Sequence, residues 1–192
     1  MTINTKTLAA IDIGTNAIRL FISNVEEYPT ETLFKKIAFL RVPIRLGEDV
    51  FTTGEIGQQK RKRLCETMQG FSYIMSAFNV ESYKAYATCA MREARNGKSV
   101  AEQIQKECDL NIEIISGTKE AETIFAGGMN EVVDDDKTYL YVDVGGGSTE
   151  VIVYSKSVKV EACSFPLGTV RMLNDAVDKE EMKHFKKWLK NI

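Results

Sequence analysis

The sequence has little histidine and no long apolar run. Its one histidine, His184, leaves Ser-His-Asp catalysis and histidine-based metal sites poorly supplied. No apolar stretch approaches the roughly 18 residues that a membrane-spanning helix needs. The polar residues before Leu8 also lack the pattern of a secretory signal. We therefore expect a cytoplasmic protein without a membrane partner, whose chemistry depends on carboxylates, backbone amides and arginines.

Closely spaced cysteines and an excess of one charge are also missing. The four cysteines contain no C-x-x-C pair, which favours free thiols in a reducing cytosol over a zinc site or a disulfide framework. The 25 Lys+Arg nearly balance the 27 Asp+Glu, and this argues against a general nucleic-acid binder. A near-neutral total charge is still compatible with an anionic ligand that binds in a local basic cleft. The 192 residues, 44% of them hydrophobic, suit one large domain or two small ones.

Hydrophobic periodicity predicts an α/β protein. Three strands joined by tight links are expected first, followed by a loop over residues 47–57 and then alternating helices and strands. The run Asp134–Asp136 predicts a solvated link. The predicted strands are 8–13, 17–25, 31–46, 82–88, 111–115, 138–144, 149–155 and 158–165, and the predicted helices are 55–78, a broken segment ending at 108, 118–132 and 179–190.

An internal repeat divides the chain. The segment Ala10–Asn16 matches Tyr141–Gly147 as an apolar strand, an aspartate, an apolar residue, a glycine and a small polar turn. Each copy leads into a strand of alternating hydrophobic residues. Unrelated hairpins often share glycine turns, but two copies that each open a three-strand run favour duplication. We predict a first lobe over 1–132 and the start of a second over 137–192.

The two hairpin turns suit phosphate binding. Glycine and hydroxyl residues expose backbone N–H groups, and Gly145–Thr149 offers a larger cradle than Gly14–Asn16. Asp12 and Asp143 end the preceding strands and would repel a phosphate unless a cation lay between them. Mg²⁺ suits this position because it takes one or two carboxylates together with water and phosphate oxygens. Glu150 can hold a water bound to that metal.

Two further segments carry candidate catalytic groups. Thr118 can cap a helix whose first turn contains Glu120 and Glu122. Residues two apart point about 200° from each other on a helix, so only one of the two can face a cleft and act as a general base. The spacing does not choose between them. Near residues 87–96, either Arg92 or Arg95 can bind phosphate in a bidentate manner.

Taken together, these motifs resemble the exopolyphosphatase / guanosine pentaphosphate phosphohydrolase family (Ppx/GppA phosphatases), part of the actin–hexokinase–sugar kinase superfamily. The Ser-Gly-x-x-Glu-Ala and Gly-Gly-Gly-Ser-Thr-Glu segments are the most specific to it. The likeness rests on five segments in the family's order: Ala10–Asn16, Ala87–Arg92 with Asn96, Ile114–Ala121, Val142–Glu150 and Phe165–Arg171.

The resemblance implies a fold and a set of roles. The fold is a ribonuclease H-like (actin-like ATPase) lobe, with a mixed five-stranded sheet and flanking helices, followed by an incomplete second copy. Glu120 is implied as the catalytic base, and Asp143 and Glu150, with Asp12, as the Mg²⁺ site. The implied phosphate-binding residues are Arg92 and the two turns: Gly14, Thr15, Asn16, Gly145, Gly146, Gly147, Ser148 and Thr149.

The implied activity is removal of a terminal phosphate from inorganic polyphosphate or of the 5′-γ-phosphate from guanosine pentaphosphate. The alternatives are a non-catalytic polyphosphate or (p)ppGpp sensor, and a sugar or acetate kinase, against which the Glu120 motif argues. Family members are longer, so we expect an N-terminal fragment. Its second sheet would have an open edge through which a homodimer can form.

Overall fold

The computed structural model describes residues 4–126, 136–155 and 158–192, which form two β-sheets with flanking helices. The first sheet has five strands in the order β3-β2-β1-β4-β5. The first three strands form an antiparallel meander, and β4 and β5 add to it in parallel. The elements of this half are β1 (Asn4–Ile13), β2 (Ile18–Glu27), β3 (Thr32–Val42), α1 (Leu46–Thr53), α2 (Gln58–Ala77), β4 (Ser82–Ala87), α3 (Cys89–Glu93), α4 (Gly97–Cys108), β5 (Glu113–Ile114) and α5 (Gly117–Ala126).

The main hydrophobic core lies between one face of this sheet and the helices α2 and α4. Alternation in β2 buries Ile18, Leu20 and Ile22 completely, as expected for a half-buried strand. In α2, Leu64, Met68 and other apolar residues recur at three- and four-residue intervals and form one buried stripe. The predicted helices over 55–78 and up to 108 therefore exist because their apolar faces meet this core.

Two expectations for this half are wrong. Residues 47–57 were expected to form a loop, yet Leu46–Thr53 is helical, and β3 ends at Val42 rather than at residue 46. Gly54 ends the helix in a left-handed conformation with φ 77°, and its N–H donates to the Val50 carbonyl. The glycines in this segment thus flank and begin a short helix and do not mark a continuous loop.

The second sheet has three antiparallel strands in the order β6-β7-β8. Helix α5 packs against it, because Ala121 is buried with Ile152 and Tyr154. The last helix begins at the N-cap Asp178, which accepts a hydrogen bond from the Glu180 N–H. The elements are β6 (Thr138–Val144), β7 (Thr149–Ser155), β8 (Val158–Phe165), α6 (Thr169–Leu173) and α7 (Lys179–Trp188).

Helix α7 covers the far side of this sheet. Phe165 makes edge-to-face contacts with Phe185 and Trp188 at ring-centroid distances of 4.9 and 5.3 Å. These two aromatics and Met182 were expected to point inward and do so. Leu189 was also expected inward, but it follows the helix end and is 39% exposed. That part of the prediction is wrong.

The architecture confirms the predicted fold class. A mixed five-stranded sheet with flanking helices is followed by a second sheet that opens with the same hairpin, as a ribonuclease H-like (actin-like) lobe and the start of a second copy require. The predicted boundary between residues 132 and 137 and most of the Asp134–Asp136 link lie outside the described residues, so the division into lobes stays a prediction. Among the described helices, none is long and apolar enough to cross a membrane.

Candidate active site

A cavity of about 600 Å³ lies between the two hairpin turns. Its walls combine backbone from both turns with carboxylates from four elements, so the repeat folds into a cleft shared by its two copies. The predicted site residues that line it are Asp12, Gly14, Thr15, Asn16, Glu120, Asp143, Gly145, Gly146, Gly147, Ser148 and Glu150. Arg92 and Thr149 do not line it.

The turn Gly145–Ser148, called the glycine turn below, presents its backbone N–H groups to the cavity while its carbonyl groups face the other way. The Gly145 carbonyl accepts from the Thr169 N–H at 3.0 Å, and the Gly146 carbonyl accepts from the Val170 and Arg171 N–H groups. The Gly147 carbonyl accepts from Nε of Arg171 at 2.9 Å. The C=O and N–H of a trans peptide point in opposite directions. Because these three carbonyls point toward α6, the N–H groups of Gly146, Gly147 and Ser148 face away from it.

Those amides are therefore oriented for a ligand. Within the described residues, no protein acceptor contacts the N–H groups of Gly146, Gly147 or Ser148. The cavity wall includes the turn but none of the residues of α6 that hold its carbonyls. A cluster of backbone donors on one side of a turn is a common phosphate-binding arrangement.

The first hairpin turn is held in the same manner. The Thr15 carbonyl accepts from the Gly47 N–H at 3.0 Å, as the Gly146 carbonyl accepts from Val170. Each turn also closes on itself, with Gly14 donating to Ala17 and its counterpart Gly145 donating to Ser148. The repeat thus extends into the helices that follow each third strand. The sequence shows the same correspondence in Pro43-Ile-Arg45 and Pro166-Leu-Gly168.

Glu120, and not Glu122, faces the cavity. Burial raises the pKa of the Glu120 carboxyl to about 7, and the nearby charge of Glu150 adds to this rise. A guanidinium nitrogen of Arg92 lies 3.5 Å from the Glu120 carboxylate and partly opposes the rise. Glu122 points away and pairs with Lys159 at 3.4 Å. A carboxyl group with a pKa near neutrality suits proton transfer at physiological pH.

The two candidate arginines separate clearly. Arg92 is partly buried, and its Nη1 donates to the Ile115 carbonyl at 2.8 Å while it approaches Glu120. Arg95 is exposed and donates to the Thr53 carbonyl at 2.9 Å, at the other end of the short helices. Only Arg92 therefore lies next to the cavity, where it can turn from Glu120 toward an incoming anion.

Three carboxylates at the strand ends supply oxygen donors. Asp12 is ion-paired with Arg19, yet partial withdrawal from water raises its pKa. Glu150 is buried and accepts a hydrogen bond from Oγ of Ser164 at 2.8 Å, and burial raises its pKa as well. The charge of Asp143 raises both pKa values further. Clustered carboxylates that repel one another suit a divalent cation.

The donor set fits a cation that also uses ligands from its substrate. In the part of the chain that the structure describes, no group of three His, Cys, Asp or Glu side chains converges tightly enough to hold a metal alone. Mg²⁺ is commonly bound by one or two carboxylates together with water and phosphate oxygens. Oxygen donors from Asp143, Glu150 and Asp12 therefore match its chemistry, with the remaining ligands coming from water and phosphate.

Comparison with known proteins decides the family. The sequence profile of the Ppx/GppA phosphatase family matches residues 21–192. The chain belongs to the Ppx/GppA phosphatase family. Among its relatives, the bifunctional 3-dehydroquinate synthase/phosphatase of Fusobacterium nucleatum is 32% identical over 168 residues, which is 85% of this chain and 25% of that protein. Exopolyphosphatase 2 of Mycobacterium tuberculosis is 28% identical over 170 residues, or 86% of this chain and 53% of that protein.

Solved Ppx/GppA structures have the same fold. An exopolyphosphatase from Cytophaga hutchinsonii superposes with a TM-score of 0.80 at 26% identity, covering 97% of this chain and 60% of that one. The Aquifex aeolicus family member superposes with a TM-score of 0.74 at 26% identity, covering 98% of this chain and 61% of that one. The chain thus spans between a quarter and about half the length of these curated relatives.

Some residues of this Ppx/GppA chain do not behave as the motifs alone suggest. The Thr149 hydroxyl donates to the Leu167 carbonyl and is buried, so it serves the turn and not the cavity. Thr15 reaches the cavity but is mostly packed between the turns, where its side chain would meet a Cβ added at Gly146 or Gly147. Their assigned ligand roles stay predictions.

Sequence reasoning missed three residues that support the site. Ser164 lies directly across from Glu150 on the neighbouring strand, so correct strand register would have found it. Glu93 and Arg171 form an ion pair at 2.6 Å, although they lie in different halves of the chain. Arg171 belongs to a motif that carried the family resemblance, but no spacing rule linked it to Glu93.

Proposed function

We propose that the protein hydrolyses the terminal phosphoanhydride bond of an anionic phosphate chain, either inorganic polyphosphate or the 5′-γ-phosphate of guanosine pentaphosphate. Membership of a phosphatase family supports hydrolysis. The observation that carries the proposal is the position of Glu120 on the wall of the cavity that the Gly145–Ser148 turn also lines. A base and an oxyanion-binding turn thereby face the same space.

In this proposal the amides of Gly146, Gly147 and Ser148 hold the terminal phosphoryl oxygens. Glu120 accepts a proton from a water molecule whose oxygen attacks the terminal phosphorus. The bond from phosphorus to the bridging oxygen breaks, and that oxygen leaves with the shortened chain. The products are inorganic phosphate and a chain one phosphate shorter. Arg92 neutralises charge on the transferred group.

We extend the proposal to Mg²⁺ as the cofactor. Asp143 and Glu150, with Asp12, would hold it, and it would supply positive charge that neutralises the phosphate oxygens. The carboxylate cluster supports this assignment because four carboxylates line a cavity proposed for an anion: Asp12, Glu120, Asp143 and Glu150. Activity should fall after chelation and return on addition of Mg²⁺.

The test compares two glutamates of the same helix in the full-length protein. Glu120→Gln keeps the size of the side chain but removes the base, and we expect phosphate release to fall by about 100-fold or more. Glu122→Gln is the matched control, because Glu122 lies away from the cavity and pairs with Lys159 at the surface. Its rate should stay within about twofold of wild type.

Phosphate release is measured with polyphosphate and with guanosine pentaphosphate as separate substrates. Faster turnover of one of them identifies the preferred class. Wild-type activity in the Glu120→Gln protein would remove Glu120 from the mechanism. Tight binding of either ligand without turnover by the wild-type protein would favour the non-catalytic sensor instead.

A further inference from the structure

Arg171 connects the glycine turn to the first half of the chain. Its Nε donates to the Gly147 carbonyl at 2.9 Å, and its Nη2 donates to the Glu93 carboxylate at 2.6 Å. The guanidinium carbon lies 4.3 Å from the centre of the Phe51 ring. Arg171 is 8% exposed, so its guanidinium is largely shielded from water, whereas the Glu93 side chain that it contacts remains 36% exposed.

The contacts of Arg171 have a direction that matters for the turn. One end of the guanidinium fixes the Gly147 carbonyl, and with it the plane of the Gly147–Ser148 peptide. The other end is held by Glu93 in α3 and by the face of Phe51 in α1. A planar guanidinium with a forked set of donors can hold both ends at once, which a lysine cannot do.

Close packing around Gly147 leaves the peptide few other orientations. A Cβ added at Gly147 would lie 2.8 Å from Oγ1 of Thr15 and 3.0 Å from the Phe51 ring, and it would overlap the Cys89 sulfur. One added at Gly168 would overlap the backbone of Gly146 and Gly147. The turn is therefore enclosed by Thr15, Phe51 and Cys89 of the first half and by Gly168 before α6, and Arg171 supplies the last of its carbonyl partners.

We propose that Arg171 is a positioning residue, which holds the Gly147–Ser148 peptide so that the Ser148 N–H faces the cavity and can bind a phosphoryl oxygen. The proposal rests on the proposed function for the identity of the ligand. It also links two sites through adjacent residues of α3, because Arg92 approaches Glu120 while Glu93 holds Arg171. One short helix thereby sets the base and the anion-binding turn relative to each other.

The test uses the full-length protein and inorganic tripolyphosphate as the probe. R171M removes all three side-chain hydrogen bonds of Arg171, to the Gly147 carbonyl, the Glu93 carboxylate and the Cys89 sulfur, but keeps an apolar stem against Phe51. R171K keeps the charge with only one compact donor group. E93Q removes the ion pair while leaving the bond from Arg171 to Gly147 possible. R95M is the matched control, because Arg95 also donates to a backbone carbonyl but lies away from the cavity.

An unpaired buried carbonyl is costly, so R171M should weaken tripolyphosphate binding by about tenfold or more. R171K should have a smaller effect, E93Q a still smaller one, and R95M should remain within about twofold of wild type. Calorimetry measures the Kd, and nitrogen-15 NMR follows the Gly146, Gly147 and Ser148 amides. In R171M these amides should lose their tripolyphosphate-induced shifts.

Thermal unfolding separates positioning from simple stabilisation. A folded R171M protein with wild-type Kd and wild-type amide shifts overturns the proposal, whatever its Tm. Where R171M does not fold, R171K decides in the same way. A wild-type protein that binds tripolyphosphate through these amides but releases no phosphate contradicts the proposed hydrolysis and leaves the role of Arg171 standing.

Discussion

The two copies of the hairpin have the same turn but different neighbours. In the first copy, Ile11 and Ile13 are 2% and 0% exposed, because β1 lies between two strands and under helices. Their counterparts Val142 and Val144 are 48% and 56% exposed, since β6 is an edge of its sheet within the described residues. The same pattern thus forms the same turn whether or not its strand is covered.

This difference shows that the hydrogen bonds that fix the turn are distinct from the core packing that stabilises each half of the chain. Both turns are held by local hydrogen bonds from the residues that follow the third strand of each copy. The stability of the first copy comes in addition from a packed core, whereas the second copy has smaller clusters around Ile152 and Phe165. The first half should therefore be the more stable one.

The largest expected effect comes from truncating equivalent residues of the two hairpins. Ile13→Ala removes a fully buried side chain and should lower the free energy of unfolding of the 192-residue chain by about 4 kcal/mol. Val144→Ala should cost less than about 1 kcal/mol, because its side chain is half exposed. Urea unfolding of both variants measures the difference. Equal costs would break the comparison between the two sheets.

Arg45 and Gly168 end the matching segments Pro43-Ile-Arg45 and Pro166-Leu-Gly168. Substitutions at these two positions should change the free energy of unfolding in opposite directions. Gly168→Ala should destabilise the chain by about 3 kcal/mol, because its Cβ would overlap the backbone of the glycine turn. Arg45 occupies the corresponding position with a left-handed φ of 57°, so Arg45→Gly should stabilise the chain by about 1 kcal/mol. Thermal unfolding reports both. Changes of the same sign would contradict one of the two reasons, the steric overlap at Gly168 or the left-handed strain at Arg45.

The carboxylates of the two copies also differ. Asp12 in the first copy pairs with Arg19, whereas Glu150 in the second is hydrogen-bonded by Ser164. Both charges raise the pKa of Glu120, and that of Glu150 does so more strongly. With a pKa raised from 4.5 to about 7, Glu120 favours the folded state below pH 4.5, and this contribution is lost as pH rises through 7.

Glu120→Gln should therefore stabilise the chain by on the order of 2 kcal/mol at about pH 8, with little change near pH 4. Unfolding is followed against pH in a buffer that contains a chelator. Glu122→Gln serves again as the control, since that side chain is exposed and paired with Lys159. An equal stability gain at both ends of the pH range would contradict the raised pKa of Glu120.

Much of the fold could be predicted because its signals are local. Alternating apolar residues and glycine turns predicted both meanders, and helical spacing predicted α2 and α7. Helix α1 was missed because glycines that begin or end a short helix look the same in sequence as glycines of a loop. Only the surrounding structure, through the Arg45 and Gly47 amides bound to the first turn, distinguishes the two cases.

The candidate site was only partly predictable for the same reason. The turns and the strand-end carboxylates follow from the repeat, but geometry alone did not choose between Glu120 and Glu122 before the structure placed one on the cavity wall. The pair of Glu93 and Arg171 spans the two halves of the chain, and no local pattern encodes it. Nor does sequence reveal that the Thr149 hydroxyl is already bound to Leu167.

Residues of α6 hydrogen-bond the carbonyls of the glycine turn, and this affects which part of a phosphate chain the turn can bind. A surface that offers only hydrogen-bond donors binds a phosphoryl group more tightly when more of its oxygens are free to accept. A terminal phosphoryl group has three such oxygens, whereas an internal one gives up a further oxygen to its next neighbour. On the proposed function, the glycine turn therefore prefers the terminal phosphoryl group of a chain. Linear tripolyphosphate should bind more tightly than cyclic trimetaphosphate, which has no terminal group.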